Sequence, residues 1–187
     1  QQSPGRARGF LLTRSWVIGM ARNIEIKAAL SDIALIYERL RQTAAHGPEV
    51  LMQKDIFYRM PFGRLKLRQI NLLNSEIIYY FRKNAEGPKL SKYYRFKLKK
   101  PKLAHFFLSF LFGVQGVVEK KREVFFIERT RIHIDNVLSL GYFIELEVVL
   151  SPSESTLHGE KIANDLLSFF DIQEHFLIDK SYLEMLK

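Results

Sequence analysis

Through most of the chain apolar and polar residues alternate one by one, the period expected of strands that bury one face. Residues 23–29 (NIEIKAA) predict a first strand. A helix follows, with Ser31 or Asp32 as its cap, an apolar stripe of Ile33, Ile36 and Leu40, and Gly47-Pro48 as its stop. Strands are predicted over 50–59, 64–70 and 75–83, with turns at Pro61-Phe62-Gly63 and at 71–74. Beyond Gly87-Pro88 another strand covers 89–98, and three more cover 116–128, 131–136 and 142–150, the last stopped by Ser151-Pro152-Ser153. A helix over 156–170 and a shorter one over 181–186 close the chain. About eight antiparallel strands with a few helices is an α+β pattern, and closing such a sheet into a barrel removes its exposed edges.

The most apolar run, 103–114 (LAHFFLSFLFGV), predicts a buried helix, with Pro101 suited to its first turn and Gly113 to its end. Phe106, Phe107, Phe110 and Phe112 are expected to pack in the core, with a dimer surface as the other reading. At twelve residues the run is too short to span a bilayer, which takes about 20.

Side chains two apart on a strand share a face, and here those faces are charged. Asn23, Glu25 and Lys27 point together, as do Arg64, Lys66 and Arg68, then Glu76, Tyr80 and Arg82. Further on, Lys120 pairs with Arg122, Arg131 with His133 and Asp135, and Glu145 with Glu147. A half-exposed sheet with its charges in water would explain any one of these strands. Taken together, fixed cations mixed with carboxylates suit the inside of a barrel better, with the few helices covering its apolar outside. Buried charges are costly unless paired or ligated. A triphosphate with a divalent cation satisfies both signs: Arg and Lys bind phosphoryl oxygens, and carboxylates hold Mg²⁺ or Mn²⁺.

Composition narrows the alternatives. At 187 residues with 47% hydrophobic, the chain has the length of one domain and the apolar content to fill its core. The absence of Cys excludes disulfides, thiolate metal sites and Cys nucleophiles. The net charge of +9 favours a polyanionic partner, although Arg6, Arg8 and Arg14 supply three of those charges within 1–19, a stretch without acids. That stretch is read as an extension outside the fold, with Met20 as the start of the domain over 20–187, or as the remnant of an organelle-targeting segment. The expected location is the cytoplasm, or the mitochondrion if the segment is native. No P-loop and no GxSxG motif is present, so phosphate binding must come from side chains.

Eight segments in order, a signature and seven more, resemble the CYTH superfamily, the triphosphate tunnel metalloenzymes. NIEIK at 23–27 is similar to its ExExK signature. The others are QKDIFY at 53–58, GRLKLR at 63–68, EIIYYFR at 76–82, GPKLSKY at 87–93, GVQGVVEKKREVF at 113–125 with TRIHID at 130–135, and LGYFIELEVV at 140–149. The resemblance runs nearest to the class IV adenylate cyclase-like branch, beside thiamine triphosphatases and inorganic triphosphatases. It implies a closed eight-stranded antiparallel barrel with helices outside and a triphosphate in the lumen. By that resemblance Lys27, Lys66, Arg68, Arg82, Lys120, Arg122 and Arg131 bind phosphates. Glu25, Glu145 and Glu147 hold metal, with Asp135 assisting. The first Glu of ExExK is replaced by Asn23, which keeps a carbonyl oxygen and loses the charge.

Two reactions suit such a lumen: hydrolysis of inorganic triphosphate, thiamine triphosphate or ATP, which is favoured, and cyclisation of ATP with release of pyrophosphate. Lys27 is the candidate base, if neighbouring cations depress its pKa. A non-catalytic binder of polyphosphate or RNA is the rival, on the strength of Lys92-Tyr93-Tyr94-Arg95-Phe96-Lys97, which also reads as a plain amphipathic strand. Glu145 and Glu147 argue against nucleic acid, since without metal they repel phosphate. His133 reads as an acid or base, or as a histidine bonded to a neighbouring carboxylate. No membrane partner is expected, and the chain is expected to be a monomer or homodimer.

Overall fold

A computed structural model describes residues 20–187, so the reading of 1–19 falls outside the described residues. Eight strands form the body: β1 (Ala21–Ala29), β2 (His46–Tyr58), β3 (Arg64–Ile70), β4 (Asn74–Arg82), β5 (Lys89–Lys97), β6 (Val114–Ile127), β7 (Thr130–Val137) and β8 (Gly141–Leu150). They close into a barrel in the order β1-β5-β4-β3-β2-β6-β7-β8. The helices α1 (Ile33–Arg41), α2 (Pro101–Phe112), α3 (Thr156–Phe169) and α4 (Tyr182–Met185) stand outside it or across one end, with a short 3₁₀ turn at Glu174–Phe176. The expected α+β closed antiparallel barrel is the observed fold. Among the described residues no helix is long and apolar enough to cross a membrane.

The hydrophobic core lies outside the barrel wall. Ile24, Ile26 and Ala28 of β1, Ile132 and Ile134 of β7, and Ile144, Leu146 and Val148 of β8 point outward and are buried under α1 and α3. Asp32 caps α1 by accepting bonds from the Ala34 and Leu35 amides at 2.9 and 3.1 Å. Glycine at 159 lets α3 lie close to the wall, because a Cβ there would meet Leu150 Cδ2 at 2.6 Å and Ile24 Cγ1 at 2.8 Å. The alternation thus turns its charged set inward by default: the apolar set is the one that helices can cover.

Two expectations are corrected. α1 ends at Arg41 on a Gln42 cap, and Gly47-Pro48 lies inside β2, joined by a cis peptide. Gly47 has φ +128° and a Cβ there would sit 2.7 Å from the Val124 carbonyl oxygen, so the pair marks a close approach of β2 to β6 where their register shifts. The second correction concerns α2, none of whose residues is buried. Ala104, Leu108 and Phe112 form one stripe against Ile56, Tyr58, Leu65 and Leu67, while Phe106, Phe107 and Phe110 remain 65%, 52% and 82% exposed. A helix laid on a barrel meets it along one stripe, and the other side of α2 stays exposed among the described residues.

Candidate functional site: the charged lumen

The barrel registry decides which charges meet. Directly opposed residues on antiparallel neighbours share a face, and the pairs Glu25–Glu147, Lys27–Glu145, Glu147–Arg131, Glu145–His133, Asp135–Arg122 and Asp55–Arg68 all lie on the inner one. Half of these groups are buried and the rest half-buried, and nearly every charge has an opposite at contact distance.

On β2 and β3, Asp55 accepts from Lys66 at 2.8 Å and from Arg68 at 2.7 and 2.8 Å. On the adjoining β6 and β7, Asp135 accepts from Lys120 at 2.7 Å, from Arg122 at 2.6 Å through both Nε and Nη2, and from the Tyr182 hydroxyl at 2.9 Å. Burial alone would raise both carboxyls, but the adjoining guanidinium and ammonium groups hold them well below the carboxylate range. Burial lowers the lysines: Lys66 falls to about 8, with Arg68 adding to the effect, and Lys27 and Lys120 are lowered as well. Arg82 bonds Glu25, and Arg131 reaches Glu147 at 3.1 Å and the Tyr93 hydroxyl at 3.2 Å.

The donor atoms suited to metal gather where β7, β8 and β1 adjoin. Glu145, Glu147 and His133 each offer a ligand atom, all within 4.8 Å of one another. His133 Nδ1 is 3.7 Å from both carboxylates. It is buried and makes no hydrogen bond, and the same holds for Asn23 Oδ1. Burial, then Arg122, lowers the His133 pKa, which keeps the imidazole in its neutral, ligating form. Burial would raise Glu147, yet the Arg131 guanidinium brings it down to about 2. Two carboxylates with a neutral imidazole fit a divalent cation such as Mg²⁺ or Mn²⁺, and Glu25 adjoins them through its pairing with Glu147. Asp135 lies outside this group, enclosed by Lys120, Arg122 and Tyr182.

One end of the lumen is stoppered. Phe57, Val118, Val137 and Phe143 make its wall apolar there, and Tyr182 and Leu183 of α4 pack into it. The segment leading to α4 offers its carbonyls to lumen cations: Ile178 to Lys89 at 2.9 Å and Lys180 to Lys27 at 3.1 Å. The Tyr182 ring lies 4.0 Å from the Lys27 ammonium and 4.9 Å from that of Lys120. Two hollows open on the surface: one of about 230 Å³ between Phe57, Arg64 and Glu184 adjoins the stoppered end, and a larger one is lined by Glu86, Gln173, Glu174 and His175.

All the residues expected to bind phosphate therefore face the lumen. Sequence reasoning passed over Asp55, Lys89 and Tyr182. Asp55 shares its parity with Gln53, but Lys54 on the opposite face forms an outward ion pair with Glu119, so charge on β2 does not distinguish inside from outside. Tyr182 sits on a four-residue helix whose lumenal position depends on the whole chain path. In the stretch 92–97, Tyr93 and Arg95 turn to Arg131 and Glu76, so its aromatics and cations are divided between two faces.

This geometry agrees with comparisons to known proteins. No curated protein matches the chain by sequence. The PH1012 protein of Pyrococcus horikoshii OT3 is 26% identical, superposes with a TM-score of 0.76, and is matched over 87% of this chain and 98% of its own. A candidate adenylate cyclase from Vibrio parahaemolyticus is 21% identical over 90% of this chain and 98% of that one, with a TM-score of 0.74. HpAC1 from Hippeastrum, a candidate adenylyl cyclase with a dominant triphosphatase activity, is 14% identical over 87% and 94%, with a TM-score of 0.60. The CYTH domain model matches residues 21–182, from the first strand to the start of α4, and the chain belongs to the CYTH family.

Proposed function

We propose that the lumen binds a triphosphate together with Mg²⁺ or Mn²⁺ and hydrolyses its terminal phosphoryl group. One observation carries this reading: Lys66 and Arg68 of β3 and Lys120 and Arg122 of β6 meet across β2 on one stretch of the lumen wall, near a carboxylate–imidazole group suited to a divalent cation. The names borne by similar CYTH structures, candidate adenylate cyclase and triphosphatase, agree with a triphosphate substrate.

In this reading Lys66, Arg68, Lys120 and Arg122 exchange part of their bonding to Asp55 and Asp135 for phosphoryl oxygens, while Arg82 and Arg131 add charge towards the metal side. Glu25, Glu145, Glu147 and His133 hold the divalent cation, with Asn23 beside them; when bound, it neutralises phosphate charge. Lys27, 3.4 Å from Glu145 and lowered by burial, acts as base in its neutral amine form: it takes a proton from water and becomes an ammonium as the water oxygen attacks the terminal phosphorus and the bridging P–O bond breaks. Orthophosphate and the shortened phosphate leave. Most of the catalysis is positioning and charge stabilisation before the reaction. The fixed stopper of α4 favours a compact phosphate chain over a nucleotide.

The test offers residues 20–187 inorganic triphosphate, thiamine triphosphate and ATP, each with Mg²⁺ or Mn²⁺. Orthophosphate release is the expected result. Cyclic AMP with pyrophosphate would replace hydrolysis by cyclisation, and binding without any product would reduce the lumen to a binding site.

A further inference from the structure

The outward side of α2 has the composition of a membrane-surface helix. Leu103, Phe106, Phe107, Phe110 and Leu111 are all at least half exposed and recur at the three- and four-residue spacing of one helix face. The opposite face anchors the helix: Ala104, Leu108 and Phe112 pack on the barrel, and the Tyr58 hydroxyl bonds His105 Nδ1 at 2.8 Å. The apolar side is thus held outward by a fixed scaffold.

The charges flanking it along the chain have one sign. Residues 87–118 contain seven Lys or Arg and no Asp or Glu. Lys89 is taken up by the lumen and Arg95 by Glu76. Lys97, Lys99, Lys100 and Lys102 are exposed at the N-terminal end of α2 and form no salt bridge among the described residues. At the other end Arg59, also exposed, donates its backbone N–H to the Gly113 carbonyl at 3.2 Å. A second copy is a poor occupant for this face. Antiparallel pairing of two α2 helices would bring the lysines of one against Arg59 of the other, and parallel pairing would set lysines against lysines. The complementary surface is one that is apolar beneath and anionic at its rim.

We propose that α2 docks the protein on an anionic phospholipid surface, with Phe106, Phe107 and Phe110 in the headgroup–acyl boundary and Lys97, Lys99, Lys100 and Lys102 among the phosphates. The helix lies along the interface and does not enter the bilayer core. This inference runs against the expectation of no membrane partner, and it is independent of what the lumen binds.

The experiment is co-sedimentation of the protein with phosphatidylcholine vesicles, with and without phosphatidylserine, at low and high salt. Binding is expected only with phosphatidylserine and should weaken with salt. Phe106→Ser with Phe110→Ser should reduce partitioning about a hundredfold, since each exposed ring loses its burial. Lys99→Ala with Lys100→Ala should reduce it by about fivefold per charge. These side chains are exposed, so unchanged melting temperatures should show that the variants fold. Absence of binding to phosphatidylserine vesicles, or binding equal in wild type and Phe variant, would overturn the proposal. So would a dimer in light scattering that the Phe variant abolishes while vesicles bind neither protein, because a second copy would then be the occupant.

Discussion

Asp135 and the pair Glu145 and Glu147 are all buried carboxylates among cations, yet they should respond differently to loss of charge. Asp135 has no exposed surface and holds Lys120 and Arg122 together. Asp135→Asn leaves two buried cations undercompensated and should destabilise the fold by about 3–5 kcal/mol, read from denaturant unfolding. In Glu145→Gln with Glu147→Gln the neighbours keep other partners, since Arg122 retains Asp135 and Arg131 retains the Tyr93 hydroxyl. That double variant should remain folded while losing divalent-metal binding in calorimetry and at least about a hundredfold in turnover. Metal binding at wild-type strength would remove both residues from the metal group. The sequence exposes the alternation of these groups; whether a carboxylate meets a cation or an empty space is set by the neighbouring strand, so Asp135 and Glu145 look alike until β6, β7 and β8 are in register.

Among the α-helices, α4 is the shortest and the most consequential for the lumen. Its N-terminus is fixed by a capping box, in which Ser181 Oγ accepts from the Glu184 amide and Glu184 accepts from the Ser181 amide. Its Tyr182 hydroxyl donates to the buried Asp135. Tyr182→Phe keeps the ring on Lys27 and Lys120 and loses only that bond, and should cost about 1–3 kcal/mol in chemical denaturation. No change would mean that Tyr182 fills space without supporting Asp135. Strands were the legible elements, because period two survives whichever side is buried. The helices divided: α1 and α3 follow their apolar stripes, whereas α2, the most apolar run of all, was read as buried and is not. Apolarity reports what a helix prefers to meet, and only the packed fold says whether anything is there.

At the scale of the molecule, the barrel stores charge inside and apolar surface between its wall and its helices. Its pH response follows from that arrangement. The Asp55, Asp135, Glu145 and Glu147 carboxyls are depressed in the folded state, so their stabilising effect is present above the ordinary carboxylate range and is lost as pH falls toward about 2, where Glu147 titrates. His133 is also depressed, and it adds to the loss once pH drops below the imidazole range of the unfolded chain. At the alkaline side Lys66, lowered to about 8, should become neutral as pH rises through that value, so triphosphate affinity should fall there. Binding near pH 8 should also take up protons, because bound phosphate raises this lysine again. Calorimetry in buffers of different ionisation enthalpy reads that uptake directly; no buffer dependence would place Lys66 away from the phosphate.

The chain by itself determined the α+β strand count, the closed barrel, the charged parity of six strands and the family they resemble, because each rests on periodicity or on short ordered segments. Only the tertiary structure decided which charges neutralise one another, that Asp55, Lys89 and Tyr182 belong to the lumen, that His133 faces the two glutamates, and that Gly47-Pro48 lies within a strand. Those outcomes depend on strand registry, on close backbone approach and on the path of the last residues, which join positions more than a hundred residues apart. The exposed face of α2 belongs with them, since a sequence records hydrophobicity and the fold alone records what remains uncovered.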